Sequence, residues 1–463
     1  MKFPGLCALA VVLLGGCALK SPGSRSSEAG NIPGSWSATR EARAGVDQAW
    51  VKSIGGRALV ALVAEAQSAN PNLKASAARV EQAAAVAKIA GAGRFPSIGA
   101  GGVAGRQRQN FLGQQTITNN FGVSLQAAWE IDLWGKVRAG AEAAIADAEA
   151  QAQADRALRA SLAAQVSKAW LAVAEASEQV ALAEIAVKSR EKSSTLVRER
   201  FERAIAEDGG SAAQVRLSET ELAASKSELE ARRGDRERAL RQLELLLGRY
   251  PSGEITAAAR LPKLPPAPPS GLPSELLLRR PDLLAAERRL AAAGRRSDEA
   301  SKALFPSIQL TGSLGTSTIQ LERILDSSSG VWSLGGSLTQ PIFQGGRLRA
   351  GIERADAAER EALADLQRAV LDAFGEVEQA LVTEIHLRRQ EAEIAKAAEL
   401  SKDAAARAGE EFQNGTGGVL TYLAAQNREI EAATSLVAVR RLLLDNRINL
   451  HLALGGDVVL RRP

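Results

Sequence analysis

Few side chains in this 463-residue sequence have the types or the spacing that catalysis requires. Two histidines, one methionine and two cysteines offer little for imidazole chemistry, thiol chemistry or metal binding. His386 and His451 have no ligand-spaced partners, and the Glu130 and Asp132 carboxylates have no histidine or nucleophile motif beside them. We interpret those two acids as polar groups of a lumen or rim. The segment Gly415 to Gly418 lacks the Gly-Lys-Ser/Thr of a phosphate loop. The sequence predicts no enzyme, no metal and no cofactor.

Cys17 is the one residue whose setting predicts a specific reaction. An apolar run from Leu6 ends in Leu14-Gly15-Gly16-Cys17, the layout of a secretory signal whose tail resembles a bacterial lipobox. We expect cleavage before Cys17 and acylation of its thiol; a plain signal peptide that happens to contain a cysteine is the alternative. Cys7 leaves with the signal, which excludes a disulfide. Ala18 follows where an aspartate would favour the inner membrane, so we expect an outer-membrane lipoprotein.

Composition constrains how the mature chain meets a membrane and other partners. No uninterrupted apolar run after Cys17 reaches the roughly 18 residues of a transmembrane helix, so any crossing must use strands. The net charge of +5, from 58 basic and 53 acidic residues, is small and spread along the chain. We therefore expect no nucleic-acid partner.

An internal repeat organises the sequence. Phe95-Pro96-Ser97-Ile98 recurs 210 residues later as Phe305-Pro306-Ser307-Ile308. Gly135, Arg138, Ala139 and Gly140 recur 211 residues later as Gly346, Arg349, Ala350 and Gly351. The residue pattern of each copy predicts a helix, two strands, a very long helix and a returning helix. In the first copy the initial helix is predicted from Asn72 to Ala92. Between the copies, eight of the sixteen prolines lie from Pro251 to Pro281 and predict an extended linker.

The long helices carry coiled-coil-like seams. The segment from Arg138 to Arg203 contains no proline, and about 65 residues at ~1.5 Å each give a rod of roughly 100 Å. Apolar residues follow a spacing of three and four, which predicts packing along one stripe. They are Leu158, Leu162, Val166, Trp170 and Val173 in the first copy, and Leu363, Leu366, Val370, Phe374, Val377, Leu381 and Ile385 in the second.

Four segments predict strands. From Phe121 to Leu133 every odd position is apolar and most even positions are polar, and both segments of the second copy alternate similarly. The fourth strand, Ser97 to Gln109, is assigned by the repeat. Trp129, Trp134 and Trp332 are candidate interfacial anchors.

Open edges are not tolerated in lipid, so four strands predict an oligomer, and three copies give a twelve-stranded barrel. A water-soluble sheet packed on helices is the alternative.

Three segments resemble the TolC-like outer membrane efflux family, and most closely its lipoprotein branch serving resistance-nodulation-division pumps. They are Trp129 to Arg138, Leu272 to Glu287, and Asn70-Pro71-Asn72-Leu73. The resemblance implies a homotrimer that is mainly α with membrane β, four strands per chain and long periplasmic helices. It also implies an outer-membrane exit duct working with a periplasmic adaptor and an inner-membrane pump. A type I protein secretion channel and a lipid-anchored coiled-coil scaffold without a pore are the alternatives.

The resemblance also points to candidate site residues. Glycines 135, 140, 346 and 351 are expected at barrel-to-helix bends. The periplasmic tip and gate are expected at Gly415, Gly417, Gly418, Leu420, Thr421 and Ala424, with Gly209 and Gly210 forming the first tip. Thr421 and Ala424 stand where family members carry aspartates, so no acidic ring is expected here. Both tips have the alternative of being helix-hairpin turns with no binding role.

The predicted division of the chain follows from these features. Residues 1–16 are the signal peptide, 17–56 a lipidated extension, 57–250 the first repeat, 251–281 the linker or equatorial segment, 282–456 the second repeat, and 457–463 a tail. The strands are placed at about 96–134 and 306–345, and the hairpin tips at about 204–214 and 413–421.

Overall fold

The computed structural model describes residues 36–37, 50–111, 114–205, 211–268 and 273–456. Cys17, Gly209 and Gly210 lie outside these ranges. The helices are α1 (Trp50–Ala69), α2 (Pro71–Ala92), α3 (Lys136–Ile205), α4 (Ala212–Leu247), α5 (Pro273–Arg279), α6 (Pro281–Lys302), α7 (Arg347–Gln413) and α8 (Val419–Ala453). The strands are β1 (Ser97–Phe111), β2 (Gln114–Ile131), β3 (Ser307–Thr318) and β4 (Gly330–Thr339).

Two helices dominate the shape of the chain. The 70 residues of α3 and the 67 residues of α7 make rods of roughly 100 Å each. The shorter helices α4 and α8 return along them as the second arms of two helical hairpins. Within the described ranges, no helix is both long and apolar enough to span a bilayer.

The four strands form one antiparallel sheet in the order β1-β2-β3-β4. The glycine-rich β1, assigned from the repeat more than from its own residues, is confirmed as a strand. The alternation predicted a strand from Phe121 to Leu133. The observed strand β2 starts earlier, at Gln114, and also stops earlier, at Ile131. Asp132 and Leu133 therefore belong to the bend that follows the strand.

The repeat is preserved in the strand register. Ser97 lies opposite Ala128 in the β1–β2 pair, and Ser307 lies opposite Thr339 in the β3–β4 pair. Ser307 follows Ser97 by 210 residues, 307 minus 97, and Thr339 follows Ala128 by 211, 339 minus 128. These are the two offsets seen in the sequence. The unit α2-β1-β2-α3-α4 thus matches α6-β3-β4-α7-α8, element by element.

A core forms near the middle of the long helices, and we call it the equatorial core. Its first part gathers α1, α3, α4 and α8 around the buried side chains of Trp50, Leu59, Val63, Trp170, Leu171, Leu243, Leu247, Leu444 and Ile448. Its second part gathers Trp36, α5, α6, α7 and α8 around Leu276, Leu283, Val370, Val377, Leu450 and Leu454. The middle of both predicted helix seams is therefore buried, whereas Ile385 at the end of the second seam is exposed.

Two features of the equatorial core were not anticipated. Helix α1 begins inside the expected N-terminal extension, and its helical pattern is interrupted at Gly56, where φ is 61°. The linker is irregular from residue 251 to 268, but it then forms the short helix α5. Pro273 and Pro281 begin α5 and α6, where proline is tolerated because the first helical N–H groups have no intrahelical acceptor. The expectation of an extended linker up to Pro281 was wrong in this part.

Candidate functional site

The second hairpin tip is a tight turn between α7 and α8. Gly415 has φ of +84°, which favours glycine, and the Thr416 and Gly417 N–H groups both donate to the Glu411 carbonyl at 3.0 Å. A Cβ on Gly417 would lie 2.9 Å from the Glu411 Cβ. Gly418 precedes the first turn of α8 with an ordinary φ of −84°. Two of the three predicted tip glycines are therefore required by the turn itself.

The second tip packs against the first hairpin through an apolar cluster. Phe412 and Leu423 are buried with Val197 of α3, and Tyr422 stacks on Phe412 with ring centroids 5.5 Å apart. The Arg200 guanidinium lies 4.2 Å from the centre of the Phe412 ring. We call this group the tip cluster; it holds the end of α7 and the start of α8 to α3.

The predicted gate residues lie on the opposite side of α8 from the tip cluster. Leu420 is 63% exposed, and Thr421 and Ala424 are also exposed. Their spacing of one and three residues places them on one face of the helix. The structure places these three residues on one exposed face of α8. Gly209 and Gly210 of the first tip lie outside the described residues.

About three helical turns from the tip, a buried arginine joins α3 to α8. Arg190 is only 2% exposed, and its guanidinium donates to Gln426 Oε1 at 2.7 Å and to Asn427 Oδ1. The Gln426 amide in turn donates to the hydroxyls of Ser189 and Ser193, at 2.8 and 3.0 Å. We call this group the Arg190 network.

The charge of the Arg190 network is only partly compensated. Burial lowers the pKa of Arg190, and Glu221, 3.8 Å from its Nη2, opposes that effect. A cavity of about 320 Å³ adjoins the guanidinium and is also lined by Arg232 and Ser225. No motif in the sequence announces this network. The signal that could have revealed it is the position of Arg190, which follows Ala183, Ala186 and Val187 at helical spacing on the buried stripe of α3.

The four bend glycines divide into two pairs with different roles. Gly135 and Gly346 have φ of +77° and +84° and lie between a strand and the long helix that follows it. Gly140 and Gly351 lie inside α3 and α7, so the expectation of a bend there was wrong. A Cβ on Gly140 would lie 2.9 Å from Glu299 Oε1, so glycine at this position leaves room for the carboxylate of Glu299 from α6.

The first bend is closed by side chains of its own chain. The Asp132 carboxylate accepts from the Val137 and Arg138 N–H groups at 3.1 and 2.7 Å and so caps α3. The Trp134 indole donates to the Pro306 carbonyl at 2.8 Å and stacks on Phe305 at 5.2 Å. Asp132 thus has a structural role in the bend that the sequence analysis did not foresee.

The other acidic and tryptophan residues noted in the sequence lie on the strands and beside the first bend. Glu130 pairs with Lys136 at 2.6 Å, and Trp129 donates to the Arg94 carbonyl at 3.2 Å. Trp332 is exposed on β4, as an interfacial anchor would be. Across the described residues, no group of three or more His, Cys, Asp or Glu side chains could hold a metal ion.

Buried charges tie the linker to the helices of the equatorial core. Arg447, fully buried on α8, donates to Glu384 Oε1 of α7 and to the Pro265 carbonyl, both at 2.5 Å. Burial lowers the pKa of Arg447, and Glu384 opposes that effect. A charged residue on the apolar stripe formed by Leu444 and Ile448 was the sequence signal for this pair.

Arg280, in the motif that carried the family resemblance, forms a second tie. Its guanidinium contacts both Asp282 oxygens at 3.0 and 2.6 Å, Glu376 Oε2 at 2.6 Å and the Ala453 carbonyl at 3.1 Å. Burial acts to lower the pKa of Arg280, but the two carboxylates outweigh it and raise the pKa. The motif therefore joins the start of α6 to α7 and to the end of α8.

Glu244 makes a third tie at the end of α4. Its carboxylate accepts from the N–H groups of Gly253, Glu254 and Ile255 at 2.6, 3.0 and 3.1 Å, and from the Ser252 hydroxyl at 3.2 Å. These hydrogen bonds, the one from Gly253 most of all, lower the pKa of Glu244.

A single four-stranded meander that feeds two pairs of very long helices defines an outer-membrane channel of the efflux type. The chain belongs to the outer membrane efflux protein family, whose model matches residues 62–249 and 272–456. It is 33% identical to outer membrane protein OprJ of Pseudomonas aeruginosa, over 98% of this chain and 95% of OprJ. It is 28% identical to the cation efflux system protein CusC of Escherichia coli K12, over 85% and 86% of the two chains.

A solved structure shows the same fold. The outer-membrane channel OprN aligns with a TM-score of 0.85 at 27% identity, over 92% of this chain and 97% of OprN. The family and fold class predicted from the sequence are confirmed. This chain is the outer-membrane channel of a tripartite efflux system, as predicted, and the protein secretion and scaffold alternatives are not supported. Its location is the outer membrane.

Proposed function

We propose that three copies of this chain close into one passive duct, with a twelve-stranded barrel in the outer membrane and the helical hairpins in the periplasm. The observation that carries the proposal is the sheet itself. Within the described residues, β1 pairs only with β2 and β4 only with β3, so each chain has two open edges. Unpaired N–H and C=O groups at such edges are costly in hydrocarbon, and neighbouring copies satisfy them.

Membrane attachment adds a second contact with outer-membrane lipid. Acylation of Cys17 holds the N-terminus on the bilayer, and Trp36 lies in the equatorial core. Trp36 packs near Phe374, 27 residues along α7 from its first residue, Arg347, or about 40 Å at ~1.5 Å per residue. The 19 residues from Cys17 to Trp36 reach at most roughly 65 Å when extended. The tether is therefore long enough to reach from the equatorial core to the barrel.

The exposed face of Leu420, Thr421 and Ala424 forms the gate in this proposal. In a threefold assembly, the face of α8 opposite the tip cluster is free to turn toward the common axis. Three copies of Thr421 place hydroxyls there and not carboxylates. Closure then rests on helix packing and polar contacts, with the tip cluster and the Arg190 network holding α8 in place.

The duct receives its substrate from other proteins. We propose a periplasmic adaptor and an inner-membrane pump of the resistance-nodulation-division class as partners, which agrees with the cation efflux system in the name of the relative CusC. In this proposal the exported compound is selected largely by the pump.

Native mass spectrometry of the full-length protein, extracted in detergent, tests the assembly. We expect a trimer whose subunits begin at Cys17 and carry acyl chains. A monomer that retains its β-structure contradicts the channel assembly. An unmodified Cys17 contradicts the lipid anchor alone.

A further inference from the structure

The β1–β2 hairpin has a charged end that the other hairpin of the sheet lacks. From Ser97 to Ile131 the charged residues are Arg106, Arg108 and Glu130. Glu130 lies near the helix end of β2, where it pairs with Lys136. The far end of the hairpin therefore carries two positive charges and no negative one. Strands β3 and β4 contain no charged residue.

Both arginines lie on the apolar side of the sheet. Residues that face each other across two antiparallel strands share a side, and Arg106 faces Asn119 while Arg108 faces Ile117. These odd positions of β2 continue an alternating apolar series along the same side. The series is Phe121, Val123, Leu125 and Ala127, which face Ala104, Gly102, Ala100 and Ile98 of β1. In the proposed barrel this side faces lipid.

The position of the arginines along β1 matches the thickness of a membrane. Arg106 follows Ser97, the first residue of β1, by nine residues, 106 minus 97. Nine residues at ~3.4 Å each span about 31 Å along the strand. A strand tilt of about 40° reduces this to roughly 23 Å along the membrane normal, close to the ~25 Å apolar band of such barrels. Arg108 lies about 5 Å further out. Charges on the lipid-facing side are costly at the midplane but tolerated at this height, where the headgroups begin.

The two guanidinium groups are free to bind a ligand. Both side chains are exposed, and no acidic side chain of the described chain pairs with either. Their Cα atoms are two residues, about 7 Å, apart on one strand, so the two groups can reach the phosphates of one headgroup. A planar guanidinium binds a phosphate through two parallel N–H···O bonds. The aliphatic stems can meanwhile lie on the apolar residues below them.

We propose that Arg106 and Arg108 bind the sugar-linked phosphates of lipopolysaccharide, the glycolipid of the outer leaflet, at one site per copy. The helices extend into the periplasm in the proposed duct, so the far end of the hairpin reaches the outer leaflet. The corresponding positions of the second repeat, 210 residues later, are Thr316 and Thr318, so each chain has this arginine pair once. The inference rests on the proposed barrel. It adds the class of lipid that the barrel binds and the residues that bind it.

Lipid titration of the purified full-length protein in a non-ionic detergent tests the site. The probe is lipid A with both of its phosphates, and native mass spectrometry counts the lipids bound to each assembly. We expect one lipid A per copy. Arg106→Gln/Arg108→Gln should weaken its binding about 25-fold, since each arginine near an anionic lipid surface contributes about fivefold. Lipid A without phosphates should bind the wild type and this variant equally weakly.

The alternation Arg106-Gln107-Arg108-Gln109 offers a matched control. The quadruple variant Arg106→Gln/Gln107→Arg/Arg108→Gln/Gln109→Arg keeps the composition and net charge but moves both guanidinium groups to the lumen side of β1. We expect it to bind lipid A as weakly as the double glutamine variant. Arg106→Lys/Arg108→Lys keeps two charges on the lipid side and should bind more tightly than either.

Equal affinity of the wild type and the quadruple variant for lipid A overturns the inference. Equally tight, arginine-dependent binding of phosphatidylglycerol also overturns it, because the site then selects any anionic lipid. The lysine variant reports on the site if a glutamine variant does not assemble, and in that case lysine binding as weak as that of phosphate-free lipid A overturns it. Trimers whose lipid binding no variant changes leave the proposed duct standing, whereas a monomeric wild type contradicts the duct itself.

Discussion

In the equatorial core, buried charged groups bind opposite charges or several backbone N–H groups, whereas near the second tip α8 is held to α3 by an apolar cluster and by one arginine bonded to neutral amides. Arg447, Arg280 and Glu244 each bind the linker or its flanks, so that α4, α6, α7 and α8 are cross-linked by several hydrogen bonds apiece. At the tips, α8 is held to α3 by the tip cluster and the Arg190 network. The comparison indicates a fixed frame around the middle of the rods and an end that moves more readily.

The largest loss of stability is expected when one of the buried charged contacts of the equatorial core is removed. Glu384→Ala leaves Arg447 buried without its carboxylate, which should cost about 3–5 kcal/mol of unfolding free energy. The matched control on α7 is Glu391→Ala, which removes an exposed pair with Arg440 and should cost at most about 1 kcal/mol. Denaturant unfolding of the detergent-solubilised protein measures both. Equal losses in the two variants contradict the role of the equatorial ties.

Arg190→Met should lower the free energy of unfolding by a smaller amount, and its effect should be confined to the region near the tip. The substitution leaves the Gln426 and Asn427 side chains without their donor, at a cost of roughly 1–3 kcal/mol. We expect faster hydrogen exchange at the start of α8, with the exchange of the equatorial core unchanged. Arg203→Met, at an exposed arginine near the end of α3, is the control and should change neither. Uniformly faster exchange along α8 contradicts a difference between frame and tip.

The third prediction uses pH to measure the Glu244 tie. Because hydrogen bonds lower the pKa of folded Glu244 below its ordinary value of 4.5, the carboxylate adds stability above that value. The contribution is lost as the pH falls through the lowered pKa, where the folded state also takes up the proton. The melting temperature of the wild type should exceed that of Glu244→Gln at pH 7, and the difference should shrink at acidic pH. A pH-independent difference contradicts the assigned hydrogen-bonded carboxylate.

The smallest change in stability, but a clear change in conductance, is expected from Thr421→Asp. The substitution adds three carboxylates to the proposed gate, and clustered carboxylates bind divalent cations. Single-channel currents in planar bilayers should become sensitive to millimolar divalent cations from the periplasmic side, while the parent channel should be nearly indifferent. Arg428→Gln, further along the same helix, changes the net charge by the same −1 per chain and is the control. Strong block of the parent, unchanged by the substitution, contradicts the placement of Thr421 at the axis.

Much of the architecture followed from the sequence. The alternation of β2, β3 and β4 and the repeat that located β1 predicted all four strands, because strand side chains alternate with a period of two. The proline-free segments predicted the long helices. Gly135 and Gly346 adopt positive φ, which a residue without a side chain does readily. Helix α1 was missed because Gly56 interrupts its pattern, and α5 was missed because its prolines suggested an extended chain.

What the sequence could not decide is which distant groups meet. Asp132 looked like a polar group of a lumen, but the bend after β2 turns it onto the N-terminus of α3. Gly140 looked like a bend residue, but the carboxylate of Glu299 from α6 explains it. Arg190 and Arg447 acquire partners 236 and 63 residues away, Gln426 and Glu384, only when α8 packs against α3 and α7. Local spacing fixes periodicity and backbone conformation, whereas these pairings depend on how whole helices pack, and that was decided by the tertiary structure.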